Sequence, residues 1–476
     1  MRESSEIIAA PPVETPEPDH LGGSPLGRLS RLSFPLILNS GSVILMFFCD
    51  RMFLSWYGTN EISAVWPATF LCWGMTSFFY STGTFVNVFV AQYFGAGNRR
   101  MCAATVWQGV YFTLGAWLVL LALIAPGRMV FDLFGHRPEI AHLEKIYFTV
   151  MISASVMPML NNVLAGFFTG RGRTHITMAA NIIGNVVNVG LDWVLIFGNL
   201  GAPRLGILGA ALATAIASLV PVVIMGTLFL SNHYQKRYQT RHAFRLRWNI
   251  IARLFRTGAP SGFQDMMSLL ILGLFFMFMG RTLPEQLAGN NIAWSINDFL
   301  TLYVHGIVLG VCTLTAQYIG GGRTADAQRV IIAALKVLIC CSVAIAGAYL
   351  LFSDPLIWIL RQRETGGSSI DFALILPEAK TALLYLAAYN ILFGPLYCLK
   401  QALRGAGDTR FFLKTAIFLD LLFFIPGIFL VAHFFGPGMN ALWNFLLIYL
   451  ATVTTVYALR VRSGKWRTVS VVDLEE

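Results

Sequence analysis

Ala91-Gln92-Tyr93-Phe94-Gly95-Ala96-Gly97 returns 225 residues later as Ala316-Gln317-Tyr318-Ile319-Gly320-Gly321-Gly322. The same offset carries Arg31 onto Arg256 and Pro35 onto Pro260. Further along, Gly170, Gly172 and Thr174 recur as Gly405, Gly407 and Thr409 at an offset of 235. About ten residues were therefore gained in between, and the Gly- and Ser-containing stretch 353–376 is the natural place for them. The chain is two copies of one unit.

Composition says what the unit is. Of 476 residues, 56% are hydrophobic and 12% charged, and the mean hydropathy is +0.65. A soluble domain carries about 25% charge, so this is a membrane protein. Apolar runs of about 20 residues can cross a bilayer core about 30 Å thick. Reading runs against breakers predicts twelve helices: 33–57, 62–94, 101–125, 144–169, 174–197, 205–231, 259–281, 287–319, 326–352, 378–403, 409–433 and 439–461. The fold class is all-α and polytopic, with six helices per half. Six is even, so both halves enter the membrane in the same sense and a pseudo-two-fold axis along the membrane normal relates the two bundles. The expected division is a disordered tail at 1–30, a first lobe at 31–231, a basic linker at 232–258, a second lobe at 259–461 and a tail at 462–476. Short apolar patches at Met129–Phe134 and Pro355–Leu360 suit helices lying in the interface.

Lysine and arginine near span ends stay cytoplasmic. On this map 22 of the 34 basic residues fall on the side holding both termini, eight on the other and four inside spans, so both termini are expected in the cytoplasm. That asymmetry also accounts for the net charge of +10 without nucleic acid. No phosphate-binding G-x-x-x-x-G-K-[ST] loop and no H-E-x-x-H metal site occurs, so neither an ATP-driven pump nor an intramembrane metalloenzyme is indicated. The seven cysteines lack metal-ligand spacing. No cofactor is expected, and the tail's Ile7–Ala10 patch is too short for a signal-peptide core.

Carboxylates inside spans are costly and mark functional positions by default. Five qualify: Asp50, Asp192, Asp265, Asp298 and Asp420. Asn181, Asn185, Asn188 and Asp192 are spaced 4, 3 and 4 apart, which stacks them on one helix face. That stripe points away from lipid; Asn181 and Asn185 are expected as part of a possible substrate cavity, with interhelical hydrogen bonding as the competing role. Asp50 precedes Arg51, but adjacent helical residues point about 100° apart, so the carboxylate can face the bundle alone.

Phe34-Pro35-Leu36-Ile37, Val90–Gly97, Gly170-Arg171-Gly172, Asn188-Val189-Gly190-Leu191-Asp192, Gly209–Thr214, and Ala402–Gly405 with Asp408-Thr409 together resemble the multidrug and toxic compound extrusion (MATE) transporters. The resemblance runs through both halves in order. It implies two six-helix bundles around a central cavity in the plasma (inner) membrane. It also implies export of organic, often cationic, compounds in exchange for protons or sodium ions. Its first-lobe cation site matches Asp50, Asn188 with Asp192, and Thr214, and its bending proline in the first helix matches Pro35. Two carboxylates sharing a low-dielectric site cannot both stay ionised cheaply. The pair should take a proton or hold a cation such as sodium, for which Asn188 and Thr214 add neutral oxygens.

The second lobe departs from the pattern: where some relatives carry a glutamate and an aspartate, this chain has Ser268 and Phe393. It offers instead Asp265, Asp298, His305, Lys400 and Gln401 as a possible substrate cavity. Neutralisation of Asp265 or Asp298 by Lys400 is the structural alternative, and Lys414 is the expected partner of Asp420. A monomer is expected, with a lipid or lipid-linked saccharide flippase of the wider superfamily as the competing function.

Overall fold

The computed structural model describes residues 24–133, 136–359, 372–436, 438–469 and 471. Among the described residues, twelve helices are long and apolar enough to cross a membrane. In chain order they are α1 (Pro25–Tyr57), α2 (Thr59–Gly95), α3 (Arg99–Ala122), α4 (Pro138–Gly170), α5 (Thr174–Phe197), α6 (Ile207–Phe229), α7 (Trp248–Met279), α8 (Pro284–Leu300 continued by Leu302–Gly320), α9 (Thr324–Leu351), α10 (Phe372–Ala406), α11 (Thr409–Phe434) and α12 (Met439–Arg462). No strand occurs among the described residues. Helices α1–α6 and α7–α12 form the two six-helix lobes. Short helices are present at the two expected places, Ile124–Leu133 and Ser353–Ile359; Phe134 and Leu360 lie outside the described residues.

Besides shifts of several residues at other helix starts, the three segments expected outside the lobes carry helix. α1 begins at Pro25, not near residue 33, so positions 25–30 are helix rather than tail. Ser24 caps it by accepting the Gly27 N–H at 3.1 Å, Pro25 fills the first turn, and Leu29 is buried. The segment 232–258 is not a plain linker, because a short helix covers Asn232–Tyr238 and α7 already starts at Trp248. In the 462–476 tail, Lys465–Thr468 turns once more and buries Trp466. Amphipathic basic residues such as Arg28, Arg253 and Arg256 lower the hydropathy of these turns without preventing helix formation.

Three spans are interrupted at hydroxyl residues: α2 at Thr84, α4 at Ser155 and α8 at Thr301. The Thr84 and Thr301 hydroxyls donate to the Ser81 and Asn297 carbonyls at 2.7 Å, a local bond that loosens the helical ladder. In α11 the Ala416–Phe424 stretch is π-helical, and it carries the buried Asp420.

The repeated heptads are where the lobes cross. An added Cβ at Gly95 would lie 2.0 Å from the Gln317 carbonyl oxygen, and one at Gly320 would lie 2.0 Å from that of Gln92. Only glycine lets α2 and α8 approach so closely. Gln92 then donates to the Gly405 carbonyl at 3.0 Å and Gln317 to the Gly170 carbonyl at 2.8 Å, each reaching into the opposite lobe. Neighbouring crossings follow the same plan: Gly306 and Gly310 of α8 face Ile37 and Ser33 of α1, and Gly258 and Gly262 of α7 face Thr82 and Phe78 of α2. All these contacts lie in the half of the molecule where α1 begins and α12 ends, here termed the terminal face.

Candidate functional site

In the first lobe, α1, α5 and α6 pack side by side and bring the predicted residues together. Asp50 and Asp192 lie within hydrogen-bonding reach of each other. Asn188 Nδ2 donates to Thr214 Oγ1 at 3.4 Å. Asn188 and Asp192 are fully buried, and Asp50 is half-buried. Asp50 Oδ1, both Asp192 carboxyl oxygens and Asn188 Oδ1 are buried without a donor among the described residues. Such a set of acceptors is costly unless something positive or donating sits among them, and a proton or a hard cation satisfies it. Arg51 is near enough for its charge to act on Asp50, but it forms no ion pair with either carboxylate among the described residues. It is exposed, with its guanidinium 4.5 Å over the Trp66 ring.

The upper part of the asparagine stripe is bound to neighbouring helices. Asn181 donates to Asn39 Oδ1 of α1 at 2.9 Å and accepts from Asn161 of α4 at 3.1 Å. Asn185 donates to Ser42 Oγ at 2.8 Å. These bonds tie α5 to α1 along the stretch after Pro35, so the carboxyl site and the proline belong to one connected wall.

The second lobe brings its polar residues together differently from expectation. Asp265 pairs with Arg404, not with Lys400: Arg404 Nη2 donates to Asp265 Oδ2 at 2.5 Å, and Arg404 Nε donates to Ser261 at 2.9 Å. Ser81 of the first lobe donates to the same carboxylate oxygen at 2.5 Å, so this cluster also bridges the lobes. Asp420 accepts from the Tyr449 hydroxyl at 2.6 Å, not from Lys414. Lys400 sits 5.7 Å over the Tyr397 ring, with Asp265 and Asp420 near enough for their charges to act on it. Gln401 Oε1 is buried without a partner among the described residues. Asp298 and His305 are exposed at membrane depth. Asp298 and Arg51 belong to opposite lobes and are near enough for each charge to act on the other. Beside them on α10, Tyr389, Phe393 and Tyr397 stack four apart at 5.1 and 4.6 Å, and Trp294 lies 5.4 Å from Tyr389.

The MatE family model matches residues 35–194 and again 260–430, beginning at the two equivalent prolines. The chain belongs to the MatE family. Among relatives of this MATE protein, a probable multidrug resistance protein NorM from Thermotoga maritima is 23% identical over 453 residues, spanning 94% of each chain. Another, from Bradyrhizobium diazoefficiens, is 25% identical over 434 residues and 90% of each. A multidrug resistance MATE family transporter of the MOP superfamily, solved in an outward-facing conformation, superposes with a TM-score of 0.81 at 19% identity, covering 93% of this chain and 97% of its own. The family and the twelve-helix, two-lobe fold expected from the motifs are thereby established.

Sequence reading of this MATE protein passed over Tyr147 of α4, which is buried beside the carboxyl pair and close enough to feel both charges. It also passed over Arg404, inside the Ala402–Gly405 motif, and Asn297, which accepts from Tyr349 at 3.0 Å and Asn390 at 2.6 Å. An arginine before a buried Gly-x-Gly turn was the available signal for Arg404. Nothing local marks Tyr147. Of the aromatic residues of α2, Phe85 is fully buried, whereas Trp73 is exposed and packs against Tyr80 at 6.0 Å.

Proposed function

We propose that this protein is a secondary antiporter that exports organic, cationic or lipophilic compounds across the plasma (inner) membrane by alternating access. In this reading Asp50, Asn188, Asp192 and Thr214 form the coupling site, with the proton the favoured ion and sodium the alternative. The observation that carries it is the facing carboxyl pair whose buried oxygens receive no donor among the described residues. A ligand shifts a conformational equilibrium only through different affinity for the two states. A carboxyl pair on α1 and α5 supplies that difference, because one shared proton removes the repulsion between helices that Pro35 allows to bend. The relatives named as probable multidrug resistance proteins support export as the task. The excess of basic residues on the terminal face supports placing that face in the cytoplasm. The stacked Tyr389, Phe393 and Tyr397 with Asp298 nearby suit flat organic cations, held by ring faces and one carboxylate.

The test is efflux of fluorescent organic cations from proteoliposomes under separately imposed proton and sodium gradients. Transport driven by the proton gradient alone is expected. Facilitated equilibration unaffected by either gradient would remove antiport.

A further inference from the structure

Two clefts flank the α2–α8 crossing on the terminal face, one in each lobe, and the repeat makes them equivalent. Gln92 corresponds to Gln317, Gly172 to Gly407, Arg173 to Asp408 and Thr174 to Thr409. In the second lobe the chain fills its own cleft. The Val471 N–H donates to Gln92 Oε1 at 3.1 Å, the Val471 side chain lies against Gly407, and Asp408 is paired with Arg460 at 2.7 Å. In the first lobe no described residue fills the equivalent space, and a cavity of about 420 Å³ opens there.

The two clefts also differ in charge. Arg28, Arg31, Arg171, Arg173 and Arg237 line the first-lobe cavity, and no aspartate or glutamate is among its described lining residues. His175 and His233 lie on the same wall. The first turn of α5 opens on this space and has no side-chain cap, so the positive end of a 24-residue helix faces the cavity.

Ordinary surface positive charge does not account for how these groups are held. Arg171 is fixed over the Phe167 ring at 3.8 Å and the Tyr234 and Tyr238 rings at 4.7 Å, and its Nε donates to the Phe167 carbonyl at 2.8 Å. Its Nη2 is left buried with no acceptor. A donor stranded in this way costs free energy until an acceptor arrives. The Arg31 and Arg173 side chains, on α1 and at the start of α5, have no ion-pair or hydrogen-bond partner among the described residues. Both are exposed at the cavity mouth.

We propose that this cleft binds a phosphate-bearing anion. Guanidinium forks match phosphate oxygens two at a time, and a helix N-terminus favours the same charge. The volume exceeds that of one phosphate group, which leaves room for a diphosphate or for the esterified glycerol of an anionic phospholipid. The bound anion bridges Arg31 on α1 to Arg173 on α5, across a cavity that Pro35 and Gln317 also line. It therefore stabilises the conformation in which the terminal face is closed. This holds whichever ion is coupled and whatever is exported.

The test uses the full chain, purified in neutral detergent and stripped of lipid. Thermal unfolding is followed while inorganic pyrophosphate is titrated, and separately with micelles containing phosphatidylglycerol or, as the control, phosphatidylcholine. At least one anion is expected to raise the Tm saturably, with no response to phosphatidylcholine. A response to phosphatidylglycerol alone assigns a lipid headgroup, and one to pyrophosphate assigns a free phosphate ligand. The double variant Arg31→Gln/Arg173→Gln is expected to weaken the half-saturating concentration by about tenfold or more. Should that variant fail to fold, Arg31→Lys/Arg173→Lys keeps both charges but removes the forks, and a smaller weakening in the same direction is expected. No response to either anion, or an identical response in wild type and folded variants, overturns the proposal.

Discussion

Replacing Gly320 with alanine puts a Cβ 2.0 Å from the Gln92 carbonyl oxygen, 2.6 Å from its carbonyl carbon and 2.7 Å from its Cα. All three are backbone atoms of α2, which cannot swing aside as a side-chain tip would. Ordinary contact begins at 3.4 Å, so α2 and α8 must part by about 1.4 Å at the crossing. Overpacking of this kind costs about 1–3 kcal/mol. The separation also stretches the Gln92–Gly405 and Gln317–Gly170 hydrogen bonds, now 3.0 and 2.8 Å. These costs arise only where the two helices cross closely, so conformers open at the terminal face gain by about 5- to 150-fold. A Thr313→Cys reporter in a cysteine-free background reads the change. Thr313 is fully buried and accepts from Asn87 Nδ2 at 3.2 Å across the same crossing. Its labelling by an impermeant maleimide from the terminal side should accelerate by that factor. Gly95→Ala should do likewise, since its Cβ would meet the Gln317 carbonyl oxygen at 2.0 Å. If neither substitution changes labelling in protein that inserts and elutes normally, the glycine crossing is not what closes this face.

Asp50→Asn and Asp192→Asn should each abolish gradient-driven efflux in proteoliposomes while substrate binding persists; full proton-driven efflux in both would move coupling to Asp265 or Asp298. Arg404→Leu strands the Asp265 carboxylate and should cost about 3–5 kcal/mol of stability, visible as a lower Tm that adding Asp265→Leu largely restores. An unchanged Tm for Arg404→Leu would mean that the pair is not a structural bridge. Asp298→Asn should raise the KM of cationic substrates about tenfold, equivalent to about 1.4 kcal/mol, and spare neutral ones. Equal KM values for both classes would make Asp298 structural. A cysteine placed between Gln239 and Arg247 should be labelled only from the cytoplasmic side, and labelling from outside would invert the topology.

The limits of sequence reading lie at particular residues. The start of α1 was written in Ser24-Pro25, a cap and first-turn pair, but Arg28 and Arg31 lowered the local hydropathy and hid it. Asn188 and Asp192 were legible from their spacing, since a helix places residues four apart on one face whatever surrounds it. The partners of the second lobe were not legible. Asp265 had Lys400 and Arg404 at similar remove along α10, and only the packing of α7 on that lobe selects Arg404. Asp420 passes over Lys414, six residues away, for Tyr449 on α12 because the π-helical turn around it faces that helix.

The sequence by itself determined the twelve spans, the two-lobe repeat and the excess of positive charge at one face. Span length, hydropathy and flanking charge act locally, through the bilayer, and need no knowledge of neighbours. Only the tertiary structure decided what each buried polar group touches, that the repeated heptads meet one another at their glycines, and that one of two equivalent clefts is filled by Val471 while the other is lined by arginines. Those outcomes depend on side chains hundreds of residues apart along the chain converging at a few ångströms, and no local periodicity records that distance.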